Sequence, residues 1–182
     1  MVNVATGAIN KKINTGVTSN GLSTPWLYDV DGDDIVDWIY VGDVEGRLWK
    51  FDVKDASPAN WEVKLLFTAT NQPITTGLMT VQHPKGGVMV LFGTGRYLGD
   101  TDKFNTDPQA YYGIWDQEYI DLGDDLKLGT GDDVVKATFA TVSISDLREQ
   151  SFNETEVTAS DGKSYRVSTA NEICWYDEDG KK

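Results

Sequence analysis

One cysteine, Cys174, and one histidine, His83, are all that 182 residues offer to thiol or imidazole chemistry. A lone cysteine forms no intrachain disulfide and builds no cysteine metal site. Its role is then that of a small buried hydrophobe. The lone histidine stands beside Pro84 with no nucleophile motif around it, so it reads as a structural turn residue and gives no basis for acid–base or nucleophilic catalysis. Runs of 18 apolar residues are missing, and with them any candidate membrane-spanning helix. Basic residues are scarce: 16 against 29 acidic ones, a net charge of −13. That balance speaks against a nucleic-acid partner and against binding to anionic lipid. It suits a protein that carries cations or works outside the cytosol. Met1 is followed directly by Val-Asn-Val-Ala-Thr-Gly, without a signal peptide. An exported protein of this sequence is therefore expected to be cut from a longer precursor.

Acid is what the chain has in excess, and one stretch concentrates it. Asp29-Val30-Asp31-Gly32-Asp33-Asp34-Ile35-Val36-Asp37 holds five carboxylates in nine residues. Unpaired, they repel one another. A hard divalent cation removes that cost, and calcium accepts oxygens from alternate loop positions. Counted from Asp29, those positions are Asp29, Asp31, Asp33, Ile35 and Asp37. Ile35 is expected to offer its backbone carbonyl while its side chain anchors the loop in the core. The loop is not an EF-hand, which needs Gly at position 6 and a bidentate Glu at position 12. Here those positions hold Asp34 and Tyr40. Asp34 is then expected to carry the positive φ that Gly usually supplies. The alternating spacing and the strand that follows favour a calcium loop over a solvated acidic turn.

The rest of the chain reads as strands. Val36–Val41 is β-branched and aromatic, and ends at Gly42. Asp43-Val44-Glu45-Gly46 is a hairpin turn, with Arg47–Val53 alternating back. Ser57–Trp61 is a connector, and Val63–Ala69 a strand. Ile74–Gln82 and Val88–Phe92 form a hairpin about Pro84–Gly87. The continuous apolar run of the second is expected to be buried on both faces. Ala110–Trp115 is a further strand. Asp121–Asp133 is an exposed acidic, Gly-rich loop, its irregular spacing favouring solvation over a second ion. Lys136–Ile144 reads as a strand. Ser145–Gln150 suits either a helical turn or a strand end. Glu156–Ser160 and Lys163–Ser168 flank Asp161-Gly162, the signal for a type I′ hairpin turn. Cys174-Trp175-Tyr176 begins another strand, and Asp177–Gly180 is its turn. With no return strand after it, truncation within a larger parent fold is expected. Trp38, Trp49 and Trp115 lie in strands and read as core, whereas Trp26 and Trp61 are the surface candidates.

Short strands and almost no helical period give an all-β class. Tyr40-Val41-Gly42-Asp43, Gly46 and Leu48–Asp52 resemble the strand–turn–strand unit of quinoprotein-like propeller blades. Thr6-Gly7-Ala8-Ile9 is similar to the Thr-Gly that follows such a unit. At roughly 40–50 residues per blade, about four blades fit. The expectation is therefore a partial β-propeller of antiparallel sheets, a fragment forming one domain over 1–182. A longer pattern joins Gly21–Trp26 to the acidic loop and the strand–turn–strand unit. It continues through Gln72–Gly77, His83-Pro84, Gly86-Gly87, Leu91–Leu98 and Tyr112–Asp116. This resembles the β-propeller domain of the type IV pilus tip-associated PilC/PilY adhesins, strongly over about residues 21–116 and faintly at Tyr165–Ser168 and Trp175.

The resemblance implies an exported, surface-exposed protein at the pilus tip or outer membrane. It implies roles in pilus assembly and adhesion, with pilus subunits, assembly proteins or a host receptor as partners. It also implies a Ca²⁺ loop, at Asp29, Asp31, Asp33, Ile35 and Asp37, that regulates pilus extension and retraction. The Arg-Gly-Asp motif of some members is absent. Two other readings compete. A quinoprotein dehydrogenase needs a closed eight-bladed ring, for which this chain is too short. An integrin-like calcium module would carry one acidic loop per blade, and only one clear loop is present. Gly93–Gly99 superficially matches a dinucleotide fingerprint, but Asp100–Phe104 offers no helix to receive a pyrophosphate. A non-catalytic, calcium-binding propeller module is the resulting expectation.

Overall fold

The structure, a computed structural model, describes residues 1–3, 5–150 and 152–170, the side chains of 152–154 and 168–170 excepted. The chain falls into two compact units, Met1–Ile144 and Ser145–Lys182. Among the described residues all regular structure is β-strand apart from three single 3₁₀ turns.

In the first unit, β1 (Trp26–Tyr28), β2 (Trp38–Gly42), β3 (Arg47–Asp52) and β4 (Glu62–Thr68) form an antiparallel sheet in sequence order. A second sheet orders β5 (Met79–Gln82), β6 (Val88–Gly93) and β7 (Tyr111–Asp116) the same way. A short pair follows, β8 (Tyr119–Asp121) with β9 (Val134–Ala137). Such up-and-down sheets are what alternating apolar strands joined by tight turns produce.

The β2–β3 turn shows how local chemistry sets the register. Asp43 is fully buried, and its carboxylate accepts the amides of Glu45 and Arg47, the Arg47 guanidinium and the Trp49 indole, all at 2.9–3.0 Å. Gly46 closes the turn at φ +82, where a Cβ would stand 2.1 Å from the Ala69 carbonyl oxygen. Only glycine meets both demands.

The core lies between the two sheets. Tyr40, Leu48, Phe67, Ile74, Val90, Phe92 and Ile114 are buried there. Phe67 lies 5.1 Å from Tyr112 and 6.3 Å from Phe92, centroid to centroid. Gly42 admits Ile74: a Cβ would come within 2.2 Å of the Ile74 Cγ2.

At the heart of this core sits a lysine. Lys50 is wholly buried, with its ammonium 2.6 Å from Asp116 and 2.9 Å from Glu118. The same nitrogen lies 3.4 Å from the centre of the Trp38 ring, and Tyr40 donates its hydroxyl to Asp116 at 2.7 Å. Burial first, then the Asp116 charge, drives the Tyr40 phenol well above its ordinary range. The cluster ties β2 and β3 of one sheet to β7 of the other.

Several sequence expectations need correction here. β6 is not buried on both faces: Val88, Val90 and Phe92 are buried, but Met89 and Leu91 are half-buried. The strand is central, so its backbone is paired on both sides, while the face that carries Met89 and Leu91 stays partly exposed. Lys136–Ile144 is not one strand. β9 ends at Ala137, and the chain then runs beside β4, where Thr141 and Val142 donate to the carbonyls of Leu65 and Leu66. Of the two readings open for Ser145–Gln150, the helical turn holds at its start, which joins a 3₁₀ turn over Ile144–Asp146.

The second unit contains a hairpin, β10 (Phe152–Thr158) with β11 (Ser164–Ala170). Its turn is not type I′. Gly162 has φ +80, and Asp161 is not among the positive-φ residues. Ala159 pairs with Lys163, and the Gly162 amide donates to the Ala159 carbonyl. This is a type I turn closed by a left-handed glycine, which spares Asp161 the unfavourable φ. The expected strand at Cys174–Tyr176 and turn at Asp177–Gly180 lie outside the described residues.

Candidate metal centre

The acidic loop joins β1 to β2, whose pairing aligns Tyr28 with Trp38 and so brings the loop's ends together. Their rings stack at 6.0 Å. Within the loop, carboxylates bind backbone amides. Asp29 accepts Gly32 N at 2.6 Å and Asp34 N at 2.8 Å, and Asp33 accepts Ile35 N at 2.7 Å. Asp37 reaches back to accept Val30 N at 2.7 Å. Asp34 has φ +68, as the sixth position requires, and Gly32 has φ +78.

This winding gathers Asp29, Asp31 and Asp37. One carboxylate oxygen from each lies within 4.8 Å of the others. Asp33 is outside that group, its carboxylate turned to the Ile35 amide. The Ile35 side chain does not anchor the loop: it is 66% exposed. With β2 beginning only at Trp38, Ile35 still belongs to the loop's outer bend, and Trp38 and Tyr40 fill the core instead.

The electrostatics are those of a site short of positive charge. Asp37 is buried, and its carboxyl is raised to about 6. Desolvation is the main cause, opposed by the Val30 amide and reinforced by the charges of Asp31, Asp29 and Asp33. For Asp29, burial also disfavours the charge, yet the amides of Gly32, Asp34 and Asp33 hold its carboxyl below the usual range. Three hard oxygen donors in this arrangement suit a calcium-sized ion better than a soft metal.

A contact invisible in the sequence completes the geometry. The Leu128 amide, from the loop between β8 and β9, donates to Asp31 Oδ2 at 2.8 Å. The carboxylates of that second loop serve their own backbone. Asp132 accepts Asp124 N at 2.9 Å, and Asp133 accepts Gly129 N at 2.6 Å. The other sequence candidates take structural places. His83 is buried and stacks on Trp115 at 4.0 Å, its Nδ1 accepting Lys85 N. Burial, with Lys85 nearby, lowers its pKa. Trp26 is 39% exposed and donates to Thr80, while Trp61 is half-buried and donates to the Asp55 carbonyl. In the Gly93–Gly99 segment, Asp102 binds Arg96 and the amides of Leu98 and Gly99, a closed turn without a following α-helix.

This fold has known counterparts. The PilY1 β-propeller domain model matches residues 1–145. The chain belongs to the PilY1 β-propeller family. The match covers the first structural unit, which holds both sheets and the acidic loop. The type IV pilus biogenesis factor PilY1 of Pseudomonas aeruginosa is 30% identical across 99% of the chain. A PilY1 homolog of Xylella fastidiosa is 34% identical across 64% of it. The crystal structure of the P. aeruginosa PilY1 C-terminal domain superposes over 99% of the chain with a TM-score of 0.69 and 28% identity. The chain spans 41% of that domain and only 17% and 10% of the two curated relatives. Among the described residues, no helix is long and apolar enough to cross a membrane.

Proposed function

We propose that this PilY1-family module binds calcium in the Asp29–Asp37 loop and serves type IV pilus biogenesis and adhesion. The observation that carries the reading is the convergence of the Asp29, Asp31 and Asp37 carboxylates within 4.8 Å. An ion there cancels their repulsion and lets the buried Asp37 stay ionised. Asp33 and the Ile35 carbonyl complete the shell by small loop adjustments, since calcium tolerates irregular oxygen shells. The ordered loop then fixes the surface beside β1 and β2 that meets a pilus or host partner. Calcium-dependent control of pilus extension and retraction follows from that surface changing when the ion leaves. Family membership supports export to the cell surface or pilus tip.

Calorimetric titration of calcium chloride into the chain tests the reading. One binding event is expected in the wild type and none in Asp29→Ala. If it appears, the paired substitution Asp31→Ala with Asp33→Ala in the intact pilus protein should make twitching motility insensitive to calcium. Absence of binding heat in the wild type, together with no terbium luminescence sensitised through Tyr28 or Trp38, removes calcium from the account.

A further inference from the structure

We infer that the 122–133 loop is a latch on the cation site, held shut through the Leu128 amide and Asp31 when calcium is bound. The inference rests on the calcium reading above and extends it to a second element. Three observations lead to it. First, Leu128 N donates to Asp31 Oδ2 at 2.8 Å, across 97 positions of sequence. Asp31 is one of the three converging carboxylates, so the bond joins a candidate ligand directly to the distant loop. Hydrogen bonds of this kind orient ligands and hold them to one rotamer. Second, the loop is internally stapled but strained. Thr130 donates to Asp132 at 2.7 Å, and Asp133 receives the amides of Gly129 and Thr130. Leu126 sits at φ +55, a conformation costly for leucine that persists only where contacts hold it. Third, the loop borders a cleft. Its Leu122 and Leu126 line an open cleft of about 200 Å³ together with Tyr28, Val30, Trp38 and Ile120.

The coupling follows from charge. Without an ion, Asp31 faces two other carboxylates and is driven away from them. A swing of its side chain removes the acceptor from Leu128. With calcium, Asp31 is pinned and both of its attachments persist, because a carboxylate oxygen can ligate a cation and accept an amide together. Calcium therefore holds the loop at the edge of the cleft, and its loss frees the loop to move away from that edge. By the same linkage the Leu128 amide stabilises the ion-bound form.

Hydrogen exchange on the wild-type chain tests this, with calcium occupancy measured separately by calorimetry. Exchange of the Leu128 amide should slow about tenfold or more when calcium chloride replaces chelator. The Gly162 amide, in the second unit's turn, should not change. Calcium binding without slower exchange at Leu128 overturns the latch and leaves the calcium site standing. No binding overturns both. A second comparison uses Leu128→Pro, which lacks the donor, against Leu128→Ala, which keeps it. Calcium affinity should fall about tenfold in the proline variant and hold in the alanine one. Equal affinities in the two variants would also overturn the latch.

Discussion

Carboxylates crowd together around Lys50 and in the Asp29–Asp37 loop, and the two places resolve the repulsion differently. Around Lys50, the chain brings its own cation: Asp116 and Glu118 close on an ammonium with no exposed surface. In the Asp29–Asp37 loop no lysine or arginine is present, and Asp37 is buried among like charges. The first arrangement is fixed once folded and joins two sheets. On the reading proposed above, the second takes its cation from solution and so answers to what surrounds the protein. On that reading a built-in charge gives a permanent clamp and a borrowed one a sensor.

The sharpest way to break the comparison is at the clamp. Lys50→Met keeps the stem against Trp38 but takes from Asp116 and Glu118 the buried cation they share, leaving the Tyr40 hydroxyl to the first and Lys54 to the second, and it should cost about 3 kcal/mol of unfolding free energy. Calcium should not restore it. Denaturant titration decides: a loss under about 1 kcal/mol would mean that the sheets are not held by this cluster.

A pH series separates the sites next. The Asp37 carboxyl lies near 6 in the folded chain, above its ordinary 3.8. The ion-free fold therefore holds a proton that the unfolded chain has released, and its stability should fall as pH rises from about 4 to about 6. With calcium the sense reverses, because the proton competes with the ion, so affinity should strengthen over the same range. Paired melts with and without calcium across this window check both slopes. Asp37→Asn should flatten them.

The smallest effect sharpens the loop itself. Asp34→Gly relieves φ +68 and leaves the backbone amide that binds Asp29 in place. A gain of up to about 1 kcal/mol is expected in the ion-free chain, with calcium affinity kept. A clear loss of affinity would assign the Asp34 carboxylate to the ion.

The contrast also explains what could be read from sequence. Asp29–Asp37 and the hairpins were legible because their signals are local: alternating acid, β-branched runs, and glycines at turns. Asp34 even announced its backbone conformation by standing where glycine is usual. Lys50 announced nothing. In Arg47–Asp52 it looks like a polar residue of an alternating strand, and its partners lie 66 and 68 positions away, at Asp116 and Glu118. The same holds for Leu128, whose relevant group is a backbone amide that any residue but proline would supply. Ile35 misled because an apolar residue in a polar loop suggests an anchor, whereas the loop's hydrogen bonds shape it without one.

Thermal and denaturant unfolding with chelator and with calcium, for the wild type and for Asp31→Ala with Asp33→Ala, tests the central claim most directly. Calcium at about a hundred times its dissociation constant should add roughly 2.7 kcal/mol to the wild type. The double variant should gain nothing, and the two proteins should be similar in chelator. An equal calcium shift in both, or none in either, would contradict the account and leave the loop an acidic turn.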